Sequence, residues 1–302
     1  MSVKSIFRPQ LFAGKSALVT GGGTGIGKAI TQELLHLGCN VMMASRKEET
    51  LLKTANELKS QISKENPAKL KWKVCNIRQE DQVKNTVEET IAQFGSLDFL
   101  VNNGGGQFPS PSEMISLKGW NAVIETNLTG TFLCCREAYN IWMREHGGVI
   151  VNIIADMWKG FPLMSHTGAA RSAVDNLTKS LSVEWAKSGV RVNSVAPGII
   201  YSKTAADNYK HFEGDLMGSQ IPTIPAKRLG TPEEVSAAVC FLLSPASAFT
   251  SGISLRVDGA KSLFSSSLAF DNIPDHNKLP AYRWEDDVKK QGGDSNGKVS
   301  KL

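Results

Sequence analysis

SALVTGGGTGIG, residues 16–27, is a short apolar run that breaks into glycines and then opens a helical pattern, KAITQELLHLG. Gly21, Gly25 and Gly27 stand in the spacing G-x-x-x-G-x-G, with Thr24 and Ile26 between the later glycines. The physical demands of that spacing are a turn with glycine dihedrals, backbone access for a pyrophosphate and close packing of helix on strand. The phosphates then meet free N–H groups at the helix N-terminus. A glycine string alone says little, but between a strand and a helix at the start of a long alternation it points to a dinucleotide.

Outward from that turn the alternation continues. Strands are expected at SALVT (16–20), NVMMAS (40–45), LKWKVC (70–75), DFLVN (98–102), GVIVNI (148–153), VRVNSVA (190–196) and SLRVD (254–258). Helical periodicity fills the segments near 25–37, 47–63, 79–94, 117–145, 166–187 and 232–244. Such βαβ units predict a single α/β domain over residues 1–264, a doubly wound Rossmann-type sheet of seven parallel strands with ligands at the strands' carboxyl ends. Residues 200–228 are too long for a plain connection and read as a substrate lid. Residues 265–302 are rich in Ser, Asp, Asn, Gly and Lys and read as an extended or partly disordered tail.

Composition bounds the function classes. The chain has 302 residues, 41% hydrophobic and 21% charged, which is ordinary for a soluble domain. Its net charge of +5 is spread along the length without a basic block, an argument against nucleic acid and compatible with an anionic substrate. Cys39, Cys75, Cys134, Cys135 and Cys240 show no CxxC spacing, so they read as buried apolar residues of a reducing compartment, with no metal site. No apolar run is long enough to span a membrane, and MSVKSIFRPQ lacks a secretory signal's hydrophobic stretch, so an intracellular, soluble protein is expected.

The second strand bears on which dinucleotide is bound. An NAD site usually ends that strand with a carboxylate for the ribose hydroxyls, whereas here it ends Ala44, Ser45, Arg46, Lys47. Arg46 can fork onto a 2′-phosphate and Lys47 adds charge, so NADPH is the expected cofactor.

With TGGGTGIG, NNGG (102–105), the Asn of ETNLTG (125–130) and APGII (196–200) in order, the chain resembles the short-chain dehydrogenase/reductase family over roughly residues 14–260. The resemblance implies that Asn102, Asn103 and Gly104 support the cofactor and that Asn127 helps hold a water relay. It also implies that Pro197 and Gly198 lie beside the nicotinamide, and that Asn76 stands where an Asp usually meets the adenine. A homo-oligomer is implied as well.

The catalytic triad departs from the family pattern. Ala155 stands where its Ser belongs, Thr167 at its Tyr and Arg171 at its Lys. Carbonyl reduction makes an alkoxide that takes its proton from that tyrosine. A threonine hydroxyl is a far weaker acid than a phenol, so ketone chemistry by this route is disfavoured. Reduction of a double bond conjugated to a thioester instead puts charge on an enolate oxygen, which first needs hydrogen-bond donors. Thr167 and Arg171 suffice for that, with Arg171 also expected on the nicotinamide ribose.

Within the family, NNGGGQF, HTGAAR and IPAKRLGTPEEV most resemble the peroxisomal trans-2-enoyl-CoA reductase branch. That branch's proposed proton donor, a tyrosine two turns along the helix, is replaced here by Asp175. Asp175 lies about 12 Å along the axis from Thr167 at 1.5 Å per residue, so it reads less as an acid than as the ion-pair partner of Arg171. The chain ends Ser300, Lys301, Leu302, a peroxisomal address read by an import receptor. The expected activity is therefore NADPH-dependent reduction of trans-2-enoyl-CoA in the peroxisome. Reduction of a 2,4-dienoyl-CoA or a ketone is the first alternative, and a cofactor-binding scaffold without turnover the second.

Overall fold

A computed structural model of the chain describes residues 3–63, 66–209, 217–264 and 273–284. Seven strands make one sheet: β1 (Ser16–Thr20), β2 (Asn40–Ser45), β3 (Leu70–Val74), β4 (Phe99–Asn102), β5 (Gly148–Ile153), β6 (Val190–Pro197) and β7 (Ser254–Val257). Their order is β3-β2-β1-β4-β5-β6-β7 and every pairing is parallel. The order reverses between β1 and β4, and at such a switch point an open α/β sheet forms its ligand crevice. Register places Thr20 beside both Ala44 and Asn102, and Asn102 beside Asn152, so the strand ends form one row.

Successive strand residues face opposite sides, so each inner strand feeds two cores. In β1, Val19 packs with Ile30, Leu34, Met43 and Val239 on one face, while Leu18 packs with Met42, Leu100, Ile150 and Val192 on the other. The first layer is covered by helices Gly25–His36, Glu48–Lys59 and Pro232–Leu243, and the second by Glu80–Phe94, 117–146 and Ser165–Glu184. Thr231 starts the Pro232–Leu243 helix with a capping box closed by Glu234. The helix over 117–146 runs through two π turns, Glu125–Thr129 and Tyr139–Met143. None of the described helices is long and apolar enough to cross a membrane.

Of the expected tail, residues 273–284 are extended, without helix or strand, and pack against the domain. Arg228 donates through Nε to the Leu279 carbonyl at 2.7 Å and holds Glu234 through Nη1 and Nη2. Thr231 Oγ1 donates to the Tyr282 carbonyl at 2.8 Å, His276 Nε2 meets the Pro225 carbonyl at 3.1 Å, and Trp284 is buried. A polar composition does not prevent docking when backbone carbonyls meet a preformed arginine. Of the expected lid, Lys203–Tyr209 is helical and Gly218–Thr223 forms a 3₁₀ turn. Ser300, Lys301 and Leu302 lie outside the described residues.

Candidate active site

At the carboxyl end of β1 the chain turns through Gly21, whose φ is +65°, a conformation that side chains with a Cβ rarely adopt. Gly27 is constrained by space: a Cβ there would lie 2.2 Å from the Gly21 carbonyl oxygen, so helix and turn meet closely. Thr24 precedes the helix without a side-chain cap, and Gly25 and Ile26 begin it. Its first amides are thus left for another acceptor, which suits a pyrophosphate. Asn103 braces the turn: Nδ2 donates to the carbonyls of Thr20 and Gly21, both at 3.2 Å, and its amide donates to Thr20 Oγ1 at 3.1 Å. Gly104 N donates to the same hydroxyl at 2.9 Å. Thr20, which sequence reasoning passed over, is the hub of this join.

The Asn-Asn-Gly run divides by strand alternation. Asn103 reaches the glycine turn, but Asn102 does not face the crevice. Its side chain, 2% exposed, donates to Asn152 Oδ1 at 2.9 Å and Cys135 Sγ at 3.1 Å, inside the layer between sheet and helices. The last residue of a strand and the one after it point to opposite faces, so two adjacent asparagines cannot both line one crevice.

Beyond β2, Ser45 is half-buried and Arg46 and Lys47 are exposed, neither cation having an ion-pair partner among the described residues. Asn76, after β3, is half-buried; its Oδ1 accepts from Arg78 N at 3.3 Å and its own amide donates to Gln82 Oε1 at 2.8 Å. Glycine turn, exposed strand end and uncapped helix therefore fit a dinucleotide cofactor.

Asn127 sits fully buried in the first π turn, a distortion that often accompanies functional sites. Its side chain is a clamp: Oδ1 accepts from Gly106 N and Nδ2 donates to Gly106 O, both at 2.9 Å. The segment it holds passes over the Ser165–Glu184 helix. A Cβ on Gly105 would sit 2.2 Å from Arg171 Nη2, Phe108 packs edge-on against His166 with ring centroids 4.5 Å apart, and Ser110 N donates to Leu163 O at 2.7 Å.

On that helix, Thr167 and Arg171 lie one turn apart and both are buried. Arg171 is 8% exposed; Nη1 donates to the Ile153 carbonyl at 2.6 Å and Nη2 to Asn127 Oδ1 at 3.4 Å. Burial lowers its pKa to about 10, so it keeps its charge at neutral pH. Thr167 is fully buried, and its Oγ1 has no hydrogen-bond partner among the described residues.

Asp175 is not the partner of Arg171. Its carboxylate accepts from Lys179 Nζ at 2.6 Å and from Ser254 Oγ. Helical side chains lean toward the N-terminus, which carries Lys179 back to Asp175 and draws Arg171 away from it toward β5.

Pro197 ends β6 with its carbonyl accepting from Asp156 N at 3.1 Å, and Gly198 N donates to the Val257 carbonyl at 2.9 Å. Asp156, next to Ala155, is half-buried; burial and then the charge of Asp258 push its carboxyl above the usual range. Ser202, at the start of the expected lid, stands over the glycine turn, with Oγ 3.4 Å from where a Gly25 Cβ would be.

Known proteins agree with this architecture. Residues 21–260 match a family described as Enoyl-(Acyl carrier protein) reductase. A citronellol catabolism dehydrogenase of Pseudomonas aeruginosa PAO1 superposes with a TM-score of 0.75 at 45% identity, over 86% of this chain and 100% of that one. A short chain dehydrogenase from Bacillus anthracis gives a TM-score of 0.74 at 32% identity, over 84% and 99%. A Danio rerio protein named peroxisomal 2,4-dienoyl-CoA reductase is 36% identical over 87% of this chain and 86% of its own. A probable 2,4-dienoyl-CoA reductase of Bacillus subtilis is 35% identical over 82% and 96%. With glycine turn, parallel sheet and relatives in agreement, the chain belongs to the short-chain dehydrogenase/reductase family, oxidoreductases that bind NAD(P)(H).

Proposed function

We propose that the chain uses NADPH to reduce the 2,3 double bond of a trans-2-enoyl-CoA to the saturated thioester. The observation that carries this reading is the pair one turn apart on that helix: a buried Thr167 hydroxyl without a partner among the described residues beside a buried, charged Arg171, where related reductases of ketones keep a phenol. Bound reduced nicotinamide supplies a hydride to the β carbon. The chain's residues do the rest by position. The Gly21–Gly27 turn and Arg46 hold the phosphates, and Asn103 and Asn127 fix the two ends of the segment over the crevice. Thr167 Oγ1 donates to the thioester oxygen while Arg171 adds positive potential where enolate charge develops. The α carbon then takes a proton from water or a neighbouring acid.

The names of the Danio rerio and Bacillus subtilis relatives favour a second substrate, a 2,4-dienoyl-CoA, whose reduction makes the same demand for donors at the thioester oxygen. NADPH oxidation followed at 340 nm with trans-2-enoyl-CoA and with 2,4-dienoyl-CoA, with products identified by mass, separates the two. Cofactor binding without oxidation of NADPH by either thioester would overturn the reading.

Residues 200–228 serve in this proposal as the lid over the acyl group, on a homo-oligomeric enzyme of the peroxisome. Import follows from Ser300, Lys301 and Leu302. Peroxisomal relatives in Danio rerio and Rattus norvegicus support the compartment.

A further inference from the structure

Buried polar atoms in folded proteins nearly always find partners, and each exception asks for an explanation. Among the described residues, six side-chain nitrogen or oxygen atoms are buried without a hydrogen bond, and three belong to two consecutive residues: His166 Nδ1, His166 Nε2 and Thr167 Oγ1. His166 is 0% exposed. An imidazole buried with both nitrogens unpaired gives up the hydrogen bonds it would make in water.

The place of this residue is specific. It lies in the first turn of the Ser165–Glu184 helix, whose N-cap, Met164, provides no side-chain cap. The segment clamped by Asn127 runs along the same turn, with Gly105 over Arg171 and Phe108 over His166, while Ser112 Oγ donates to Ser165 Oγ at 3.0 Å. His166, Thr167 and Arg171 are thus buried on one helix, with the 105–108 segment packed over Arg171 and His166. The polar atoms gathered there include an unpaired imidazole, an unpaired hydroxyl and a buried guanidinium with no carboxylate among its partners.

We propose that His166 is a further catalytic residue, the second hydrogen-bond donor to the thioester oxygen beside Thr167. The inference rests on the reading of the site as an acyl-CoA reductase. An imidazole N–H is a donor that can be aimed at a developing oxyanion beside Arg171. Phe108, packed edge-on, fixes the ring so that the donor is already in place when hydride reaches the β carbon. The electron pair leaving the double bond then comes to rest on an oxygen held by Thr167 Oγ1 and His166. As the α carbon takes a proton from solvent, both hydrogen bonds relax to the ordinary carbonyl of the product. His166 keeps its own proton throughout.

The test uses the full-length chain. His166→Phe keeps an aromatic ring for Phe108 and removes both nitrogens, and His166→Gln keeps one donor. His166→Phe should lower kcat about 10- to 100-fold with NADPH affinity unchanged, and His166→Gln should recover most of the loss. With trans-2-octenoyl-CoA bound to the enzyme–NADP⁺ complex, which cannot reduce it, the thioester carbonyl stretch should lie lower than in water. The shift should shrink in His166→Phe. Should that variant fail to fold, the ring ¹⁵N–H resonance of His166 in the wild type must move on acyl-CoA binding. Wild-type kcat and carbonyl frequency in His166→Phe, or a ring resonance that ignores the ligand, would overturn the inference alone. A wild type inactive on every enoyl and dienoyl thioester would overturn the functional reading, and this inference with it.

Discussion

Lys179 donates from Nζ to Asp175 Oδ2 at 2.6 Å, an i, i+4 pair that holds the carboxylate one turn beyond Arg171. With Ser254 Oγ on the other oxygen, both carboxylate oxygens of Asp175 are engaged. Asp175→Asn should therefore leave kcat and its pH dependence unchanged and cost about 0.3–1 kcal/mol of stability in a denaturant titration. A crippled but folded Asp175→Asn enzyme would make Asp175 the proton donor.

Arg46 is exposed, has no ion-pair partner among the described residues and stands directly past the end of β2, which is where the proposed NADPH would carry its 2′-phosphate. Arg46→Ala should raise the KM for NADPH by roughly 10- to 150-fold, the scale of a charged hydrogen bond, and leave that for NADH almost untouched. An unchanged preference between the two cofactors would remove Arg46 from the site.

Thr167 is buried with its hydroxyl unpaired, so Thr167→Val keeps the shape and deletes the donor. Turnover of trans-2-enoyl-CoA should fall about 10- to 1000-fold with little change in NADPH binding. Arg171→Ala should weaken both, because its guanidinium also holds the Ile153 carbonyl and approaches Asn127.

Glu33 is a buried carboxyl between Ser236 and Ser5, and burial holds its pKa above the ordinary value against the pull of those hydroxyls. The native state keeps this proton when the unfolded chain has already released it. Glu33's contribution to stability therefore falls as pH rises from the unfolded pKa through the folded one. Relative to wild type, Glu33→Gln should gain stability across that window, by about 1.4 kcal/mol for each unit separating the two pKa values. Melting temperatures of both proteins at pH 5 and pH 8 check the sign.

A fluorescent protein fused to the N-terminus should give peroxisomal puncta, and deletion of Ser300, Lys301 and Leu302 should make it diffuse. Puncta that survive the deletion would place the address elsewhere.

What the sequence determined alone was everything carried by local spacing: the seven strands, the helices between them, the glycine turn and the basic end of β2. These were legible because strand alternation, helix period and the dihedrals of a tight turn are properties of a few neighbouring residues. Thr167 and Arg171 were likewise readable as a one-turn pair. The tertiary structure alone decided which partner each polar side chain found. A spacing of four allows Asp175 to meet Arg171 or Lys179, and the choice fell to Lys179 because Arg171 is drawn to a carbonyl at the end of β5, 18 residues earlier. Asn102 and Asn103 are neighbours in the chain and part company at the end of a strand, where alternation sends one into the core layer and the other to the glycine turn. The meeting of Phe108 with His166, and of Arg228 with the Leu279 carbonyl, joins segments more than 50 residues apart through packing and carbonyl hydrogen bonds, which leave no periodic mark in a sequence.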